Sequence, residues 1–462
     1  MFIRFVPFRK VVLFCSESIL IFAAICAAAA IRLQGDVLNL FLEGDGIGKA
    51  LLVTSICQAS FFLFDLYDFY VVRDRQELEV RLVQALGLAA LILAALFYFI
   101  PQMLIGRGIF VIGFLLVLAL MVCWRIAFHI FAGHPAIGER VLIVGAGAGA
   151  IDLAKEILDR RDIGLRVVGF VADDPQLLGK SLINPAVVGL TRDIRQIVKR
   201  ERVDRVIVAM EERRGRFPTH ELLDLRLSGR VVIEEAPSLY ERITGKLSVE
   251  SLRPSWLLFS GASHRMRLAS LKRRAYSLIC SIIGLILSAP IMLVTALLIK
   301  LESPGPVFYR QERVGKNGKI FKLIKFRSMR NDAEAGTGPV WAQENDPRVT
   351  RVGRAIRKLR IDELPQFFNV LKGEMNLVGP RPERPFFVEK LEKQIPFYSQ
   401  RHIIEPGVTG WAQIKYPYGS TIEDALEKLK YDLFYIKNAT LALDMLIILE
   451  TVKTVLLGKG AR

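Results

Sequence analysis

Glu139 to Ala150 read E-R-V-L-I-V-G-A-G-A-G-A. An apolar strand runs into Gly145, Gly147 and Ala150, which occupy the positions of a G-x-G-x-x-(G/A) turn, and a helix is expected over Ile151 to Asp159. Strand, glycine turn and helix in that order are the opening of a dinucleotide-type fold, in which a parallel strand hands the chain to a helix through a tight turn. Further strands are expected at Leu165 to Val171, Arg205 to Ala209 and Val231 to Glu235, with a helix over Ile194 to Arg202. Residues 136–255 therefore read as a Rossmann-like α/β domain. The carboxylate that would hold a ribose belongs about 20 residues after the turn. Asp173 and Asp174 come later than that, so a scaffold or regulatory domain that has kept the turn is the favoured reading over a nucleotide site. Gly179-Lys180-Ser181 is no phosphate loop, since Asp174 stands where that motif needs its first glycine.

On either side the composition changes. The 462-residue chain is 52% hydrophobic, with a mean hydropathy of +0.35, so part of it belongs in lipid. Four apolar stretches, Val11–Ala30, Ala50–Leu66, Leu82–Ile100 and Ile109–Phe131, each approach the ~20 residues of a spanning helix. Residues 1–135 read as a four-helix transmembrane region. A cleaved leader fits poorly, because three similar runs follow the first. Arg4, Arg9 and Lys10 precede the first run, Asp36, Glu43 and Asp45 follow it, and Arg73, Arg75 and Arg81 follow the second. By the positive-inside rule the N-terminus and everything after Phe131 face the cytoplasm. Glu17, Asp65 and Arg125 lie in or at the ends of these runs, and interhelical pairing is expected of them. The net charge of +17 points to anionic lipid or phosphate partners. Nucleic acid is not indicated, for the chain has no basic helix interleaved with aromatics, zinc-finger spacing or RNA-binding signature. Five cysteines without a C-x-x-C pair and five histidines without H-x-x-x-H spacing support neither disulfides nor a thiolate or histidine metal site.

A fifth apolar run, Tyr276 to Ile299, has bases at both ends and Pro290 near its middle. Proline removes a donor and opposes the preceding turn, so a break or kink is expected near Ile286. Basic flanks on both sides favour a re-entrant hairpin over a fifth span. From Ala262 to Arg330 there are 14 lysines and arginines against Glu302 and Glu312, a basic collar for an anionic leaflet. Leu441 to Leu457 is apolar but contains Asp444, Glu450 and Lys453. At about 2.5 to 3.5 kcal/mol for a central Asp or Lys, an interfacial helix suits it better than a span.

Arg357 to Gln366 read R-K-L-R-I-D-E-L-P-Q. Cations nearby favour ionised carboxylates, an ionised aspartate can attack phosphorus, and Glu363 could hold Mg²⁺ with substrate phosphate oxygens. An acidic first helical turn explains Asp362 and Glu363 equally well on spacing alone. Around them stand S-P-G-P-V-F-Y (Ser303–Tyr309), Q-E-R-V-G (Gln311–Gly315), K-F-R-S-M (Lys325–Met329), N-V-L-K-G-E-M-N-L-V-G-P-R-P-E (Asn369–Glu383) and P-G-V-T-G-W-A-Q-I (Pro406–Ile414). With I-D-E-L-P-Q these six motifs, in order over Leu271 to Gly460, resemble the monotopic phosphoglycosyl transferases, or bacterial sugar transferases. The upstream spans and Rossmann-like domain are similar to the large subgroup of that family.

The resemblance implies a mainly α, membrane-associated catalytic domain over 262–462 and transfer of sugar-1-phosphate from a UDP-sugar to polyprenyl phosphate, with UMP released. It further implies Asp362 as nucleophile, Glu363 as Mg²⁺ ligand, and Lys325, Arg357, Arg381 and, with less support, Arg327 as phosphate contacts. A bacterial inner membrane location, cytoplasmic catalysis and polysaccharide initiation come with it, and homo-oligomerisation is left open. Where the family carries Ser-Pro at its helix break, this chain has Ala289-Pro290, with Ser288 one residue earlier. Two rivals are a nucleotide-sensing regulator with an inactive transferase segment, and an NAD-dependent oxidoreductase or epimerase. The latter lacks a Tyr-x-x-x-Lys pair, since Thr244 follows Tyr240 at that spacing.

Overall fold

Val141, Leu142, Ile143 and Val144 are all fully buried, as a β-branched run covered on both faces must be. They belong to β1 (Glu139–Val144), the centre of a five-stranded parallel sheet ordered β3-β2-β1-β4-β5. The structure, a computed structural model, describes residues 8–33, 45–68, 75–132, 138–160, 163–210, 218–229, 231–249, 264–330, 346–417, 419 and 421–458. Arg4, Asp36, Glu43, Arg73 and residues 250–263 lie outside them. Two compact units form, residues 1–239 and 240–462.

In the first unit, β1 is followed by α5 (Ala148–Asp159), β2 (Leu165–Ala172), β3 (Val187–Leu190), α6 (Ile194–Arg200), β4 (Arg205–Val208), α7 (Thr219–Leu227) and β5 (Val232–Glu235). The order reverses at β1, the topology of the doubly wound Rossmann-like fold. Gly145 ends β1 with φ +120°, and a Cβ there would stand 2.7 Å from the Ala209 carbonyl oxygen. Only glycine lets β1 turn beside β4. Gly147 is the N-cap of α5, and Ala150 is fully buried in its first turn. The helix starts three residues earlier than expected, and β3 was not expected.

The four apolar runs are α1 (Phe8–Leu33), α2 (Gly46–Leu63), α3 (Arg75–Phe99) and α4 (Arg107–Ala132), each long and apolar enough to cross a membrane. The expected interhelical pairing is present. Arg125 on α4 meets Glu17 on α1 at 2.8 Å and donates to the Leu66 carbonyl at 2.7 Å. The Tyr67 hydroxyl donates to Glu17 at 2.8 Å. Asp65 pairs with Arg81 at 3.5 Å.

The second unit begins with the end of α8 (Ala236–Thr244). The stretch after it, which the sequence reading gave to the sheet domain, bonds within the C-terminal unit: the Leu247 amide donates to the Lys430 carbonyl at 3.0 Å, and Lys246 pairs with Glu427 at 2.8 Å. The fifth apolar run lies in α9 (His264–Glu302), where a break or kink was expected near Ile286. Helix continues through Pro290. Pro290 removes its own donor and crowds the Ile286 carbonyl one turn earlier, and the Ser288 hydroxyl faces the Met292 sulfur at 3.5 Å rather than a backbone carbonyl. Both arms of α9 dock on this one unit. Arg274 donates to the Leu371 carbonyl at 3.1 Å, the Ser277 hydroxyl accepts from the Leu377 amide, and Glu302 accepts from the Val352 amide at 3.1 Å. Between these anchors Ile286, Leu287 and Leu293 are 68%, 72% and 74% exposed.

Beyond α9 come the antiparallel hairpin β6 (Phe308–Val314) and β7 (Ile320–Phe326), α10 (Arg351–Lys358), a 3-10 turn (Ile361–Glu363), α11 (Gln366–Lys372), β8 (Asn376–Val378), α12 (Pro385–Glu392), β9 (Gly407–Thr409), α13 (Trp411–Lys415), α14 (Ile422–Asn438) and α15 (Leu441–Leu456). β8 and β9 pair in parallel. Gly407 is where the two strands touch: any side chain on it would overlap the Gly379 amide. On α15, Asp444 points inward, accepting from the Tyr276 and Tyr435 hydroxyls at 2.6 and 2.7 Å. Lys453 is buried as well, whereas Leu449, Val452 and Leu456 are exposed. Leu443 and Ile447 are fully buried too, so apolar residues stand on both sides of the helix, and the exposed ones suit lipid contact.

Candidate active site

Three segments bring the charged residues together. Strand β7 carries Lys325 at its end. After α10, Arg360 takes a left-handed conformation (φ +56°) that ends the helix and swings the chain into the 3-10 turn bearing Asp362 and Glu363. The G-P-R-P-E segment following β8 supplies Arg381. It is braced by its own carbonyls, since Arg401 donates to that of Arg381 at 2.9 Å, Arg313 to that of Pro382 at 3.0 Å and the Val314 amide to that of Glu383 at 2.9 Å.

Glu363 is the hub. One of its oxygens receives Arg381 at 2.7 Å and Lys325 at 3.1 Å, with Arg360 at 3.8 Å. Burial opposes its ionisation, but the nearby Arg381 and Lys325 outweigh that and hold its carboxyl well below the usual range. Burial likewise lowers the Lys325 pKa, against the pull of Glu363. Asp362 differs. It is 8% exposed, and no described residue donates a hydrogen bond to it. Burial raises its pKa, Lys325 opposes this, Glu363 adds to it, and Arg357 and Arg381 oppose it from further off. All of these groups line a cavity of about 490 Å³ whose far wall includes Tyr398, Arg401, Gln413, Lys428 and Asp432.

Lys325, Arg357, Arg381, Asp362 and Glu363 are thus brought together as expected from sequence. Arg327 also lines the cavity, and its guanidinium is engaged as a clamp on the end of α9. At 6% exposure its guanidinium donates to the carbonyls of Pro304 (2.7 Å) and Ser303 (2.8 Å), to the Ser303 hydroxyl (2.9 Å) and to the Ile299 carbonyl (3.4 Å). Those are orphan acceptors of a helix terminus, which a guanidinium fork satisfies well. Ser288, Ala289 and Pro290 do not line the cavity, and Gly145, Gly147 and Ala150 belong to the other unit.

Sequence reasoning missed the buried Arg401–Asp432 pair, at 2.8 Å, with Tyr398 accepting from Arg401 at 2.7 Å. The signal was available: Asp432 falls on the apolar face of α14 beside Leu429 and Leu433, and an aspartate there needs a cation. Among the described residues no cluster of three or more His, Cys, Asp or Glu could hold a metal. Mg²⁺ needs only one or two carboxylates when phosphate oxygens complete its shell, so the Asp362–Glu363 pair has suitable donors, although Glu363 is shared with two close cations.

Residues 268–458 match the bacterial sugar transferase family, and residues 63–216 match a CoA-binding domain family. The chain is 48% identical over 222 residues to the UDP-N-acetylgalactosamine-undecaprenyl-phosphate N-acetylgalactosaminephosphotransferase of Aeromonas hydrophila, covering 48% of this chain and 52% of that protein. It is 34% identical over 331 residues to the undecaprenyl-phosphate glucose phosphotransferase of Komagataeibacter xylinus, covering 70% of this chain and 60% of the relative. The chain therefore spans a little over half the length of these two relatives. With the exopolysaccharide production protein PSS of Rhizobium leguminosarum it shares 43% identity over 194 residues, which is 41% of this chain and 97% of that one. On this similarity, and on the site that its six motifs build, the chain belongs to the bacterial sugar transferase family.

Proposed function

We propose that this protein transfers sugar-1-phosphate from a UDP-sugar to polyprenyl (undecaprenyl) phosphate, releasing UMP, and so begins a cell-surface polysaccharide. The observation that carries this reading is Asp362, a carboxylate that receives no hydrogen bond from a described residue, opens onto the cavity and is ringed by Lys325, Arg357 and Arg381. Its oxygen attacks the phosphorus that bears the sugar, the bond from that phosphorus to the bridging oxygen breaks, and UMP leaves with the electron pair. An oxygen of polyprenyl phosphate then attacks the same phosphorus and frees the aspartate. The sugar's anomeric bond survives because only phosphorus is substituted. Lys325, Arg357 and Arg381 neutralise charge spreading over the phosphoryl oxygens. Glu363, with Asp362 beside it, would hold Mg²⁺. When bound, the ion supplies Lewis-acid neutralisation of phosphoryl charge, while Glu363 also fixes Lys325 and Arg381 in place.

The membrane placement follows the same chain of reasoning. Both arms of α9 anchor on one polar unit, while the residues between them are apolar and exposed. This supports an element that enters and leaves one leaflet. Together with the basic collar it supports catalysis at the cytoplasmic face of a bacterial inner membrane. The relatives act on different sugars by name, so the test is a panel. Purified protein with undecaprenyl phosphate is offered UDP-glucose, UDP-galactose, UDP-N-acetylglucosamine and UDP-N-acetylgalactosamine, and UMP is measured. Lipid-dependent UMP with at least one donor is expected. None with any donor, from protein that folds and inserts, refutes the activity and favours a regulator.

A further inference from the structure

We propose that Arg327 and Arg274 are positioning residues that fix the height of Asp362 above the leaflet, and that they act in the lipid-dependent half of the reaction. This rests on the transfer proposed above. Arginines bolt the membrane-inserted helix α9 to the catalytic unit at each end, Arg327 at one and Arg274 at the other, where Arg273 also pairs with Asp444 at 3.5 Å, and each bolt reaches a segment next to the catalytic charges. At the C-terminal end, Arg327 binds the carbonyls of Ile299, Ser303 and Pro304. Two residues before it, near the end of β7, Lys325 pairs with Glu363. Phe326, between them, packs against Ile299 and Ile356. At the other end, Arg274 on α9 donates to the carbonyls of Val370, Leu371 and Met375. These close the C-terminal end of α11, whose N-terminal end follows Asp362 and Glu363 by three residues.

Both arginines meet helix-end carbonyls, where the dipole is negative and acceptors lack partners. Arg327 spreads a planar fork over four acceptors and Arg274 over three, which the compact ammonium of a lysine cannot reproduce. The carboxylate pair is thus held from both ends of α9, the membrane-inserted helix of its own unit. A UDP-sugar arrives from water and can meet Asp362 at any height. Polyprenyl phosphate cannot, because its tail confines its phosphate to the leaflet surface. Loosening either bolt lets Asp362 ride away from that surface while the cavity keeps its cations.

The experiment uses the full chain in undecaprenyl phosphate–containing vesicles with Arg327→Lys, Arg274→Lys and the milder Ser303→Ala, with the UDP-sugar that the unmutated protein turns over. Two readouts separate the half-reactions: the single-turnover UMP burst without lipid acceptor, and the steady-state KM for each substrate. For both lysine variants the KM for undecaprenyl phosphate should rise roughly tenfold, with the burst and the UDP-sugar KM within about twofold of the unmutated protein. Ser303→Ala should show the same pattern more weakly. A raised UDP-sugar KM in Arg327→Lys alone would make Arg327 a phosphate contact and overturn the proposal. Equal losses in both half-reactions, tracking a lower Tm, would reduce both residues to scaffolding. Unchanged kinetics in both would show that the bolts position nothing. A missing burst in the unmutated protein is a separate failure, that of the covalent transfer itself, and the positioning role falls with it.

Discussion

Replacing Asp432 by Asn tests whether the brace behind Arg381 is what the geometry says. Arg401 is 6% exposed and donates twice to one Asp432 oxygen (2.8 and 3.1 Å), once to the Tyr398 hydroxyl and once to the Arg381 carbonyl. Asn keeps an acceptor but removes the only anion in that set of bonds, leaving a buried guanidinium short of its counter-charge. Breaking a buried pair from one side costs about 3 to 5 kcal/mol, and the retained acceptor puts Asp432→Asn near 3. For a unit the size of residues 240–462, where 1 kcal/mol moves Tm by about 2 to 4 °C, the shift is roughly 6 to 12 °C downward. Thermal unfolding in detergent, followed for Asp432→Asn, Arg401→Met, Asp432→Leu and the Met/Leu double variant, provides the assay. The double variant should recover part of the loss, since apolar residues of similar volume can replace an ion pair. Arg401→Met should also raise the KM for UDP-sugar, because Arg381 loses its carbonyl tether. A Tm drop under about 3 °C for Asp432→Asn, or strictly additive single-variant losses, would refute the reasoning.

Three further outcomes are expected. Burial lowers the Lys325 pKa, so the cation is lost on the alkaline side at a lower pH than an ordinary lysine. kcat/KM should therefore fall there, and Lys325→Arg, which stays charged, should move that limb upward; an unmoved limb assigns it to another group. Burial takes the His402 pKa down to about 4, so the unfolded chain binds a proton that the fold refuses between about pH 6.5 and 4. Stability should fall as pH drops through that window, by at most roughly 3 kcal/mol less whatever Glu392, 4.0 Å away, returns to the protonated ring. His402→Gln should narrow the Tm gap between pH 7 and pH 4.5, and an unchanged gap excludes His402 as its source. Finally, a fragment beginning at residue 262 has every catalytic charge and should keep some transferase activity once inserted. It lacks residues 240–249, whose Gly245 carbonyl accepts from Trp411 at 2.8 Å. It should melt lower than one beginning at residue 236; equal melting temperatures would show that this stretch adds nothing.

The parts legible in the sequence are those written as local pattern. Four spans follow from apolar length, β1 and its turn from Gly145 and a β-branched run, and the carboxylate pair with its cations from motif order. Strand β3, Val187–Leu190, escaped because Gly189 interrupts its short apolar run, and glycine weakens a strand reading; β4 and β5, equally short, contain none. Pro290 was read as a break or kink because its local cost is plain, whereas the anchors of α9 come from residues about a hundred positions away at its N-terminal arm and 50 away at Glu302. Arg327's part as a clamp on α9 escaped for a related reason. Its motif places it beside Lys325, but the strand ends there, and the carbonyls it meets belong to a helix end 23 to 28 residues upstream. The Arg401–Asp432 pair spans 31 residues, and only folding makes it a pair.

The central claim is that Asp362 carries the sugar phosphate. Intact-protein mass, taken after rapid acid quench with a turned-over UDP-sugar and no lipid acceptor, tests it most directly. The account predicts a gain of one sugar-phosphate on the protein, present with Asp362, absent in Asp362→Asn and discharged on adding undecaprenyl phosphate. No adduct, together with sequential rather than ping-pong kinetics, would contradict it and leave Asp362 as a base or metal ligand.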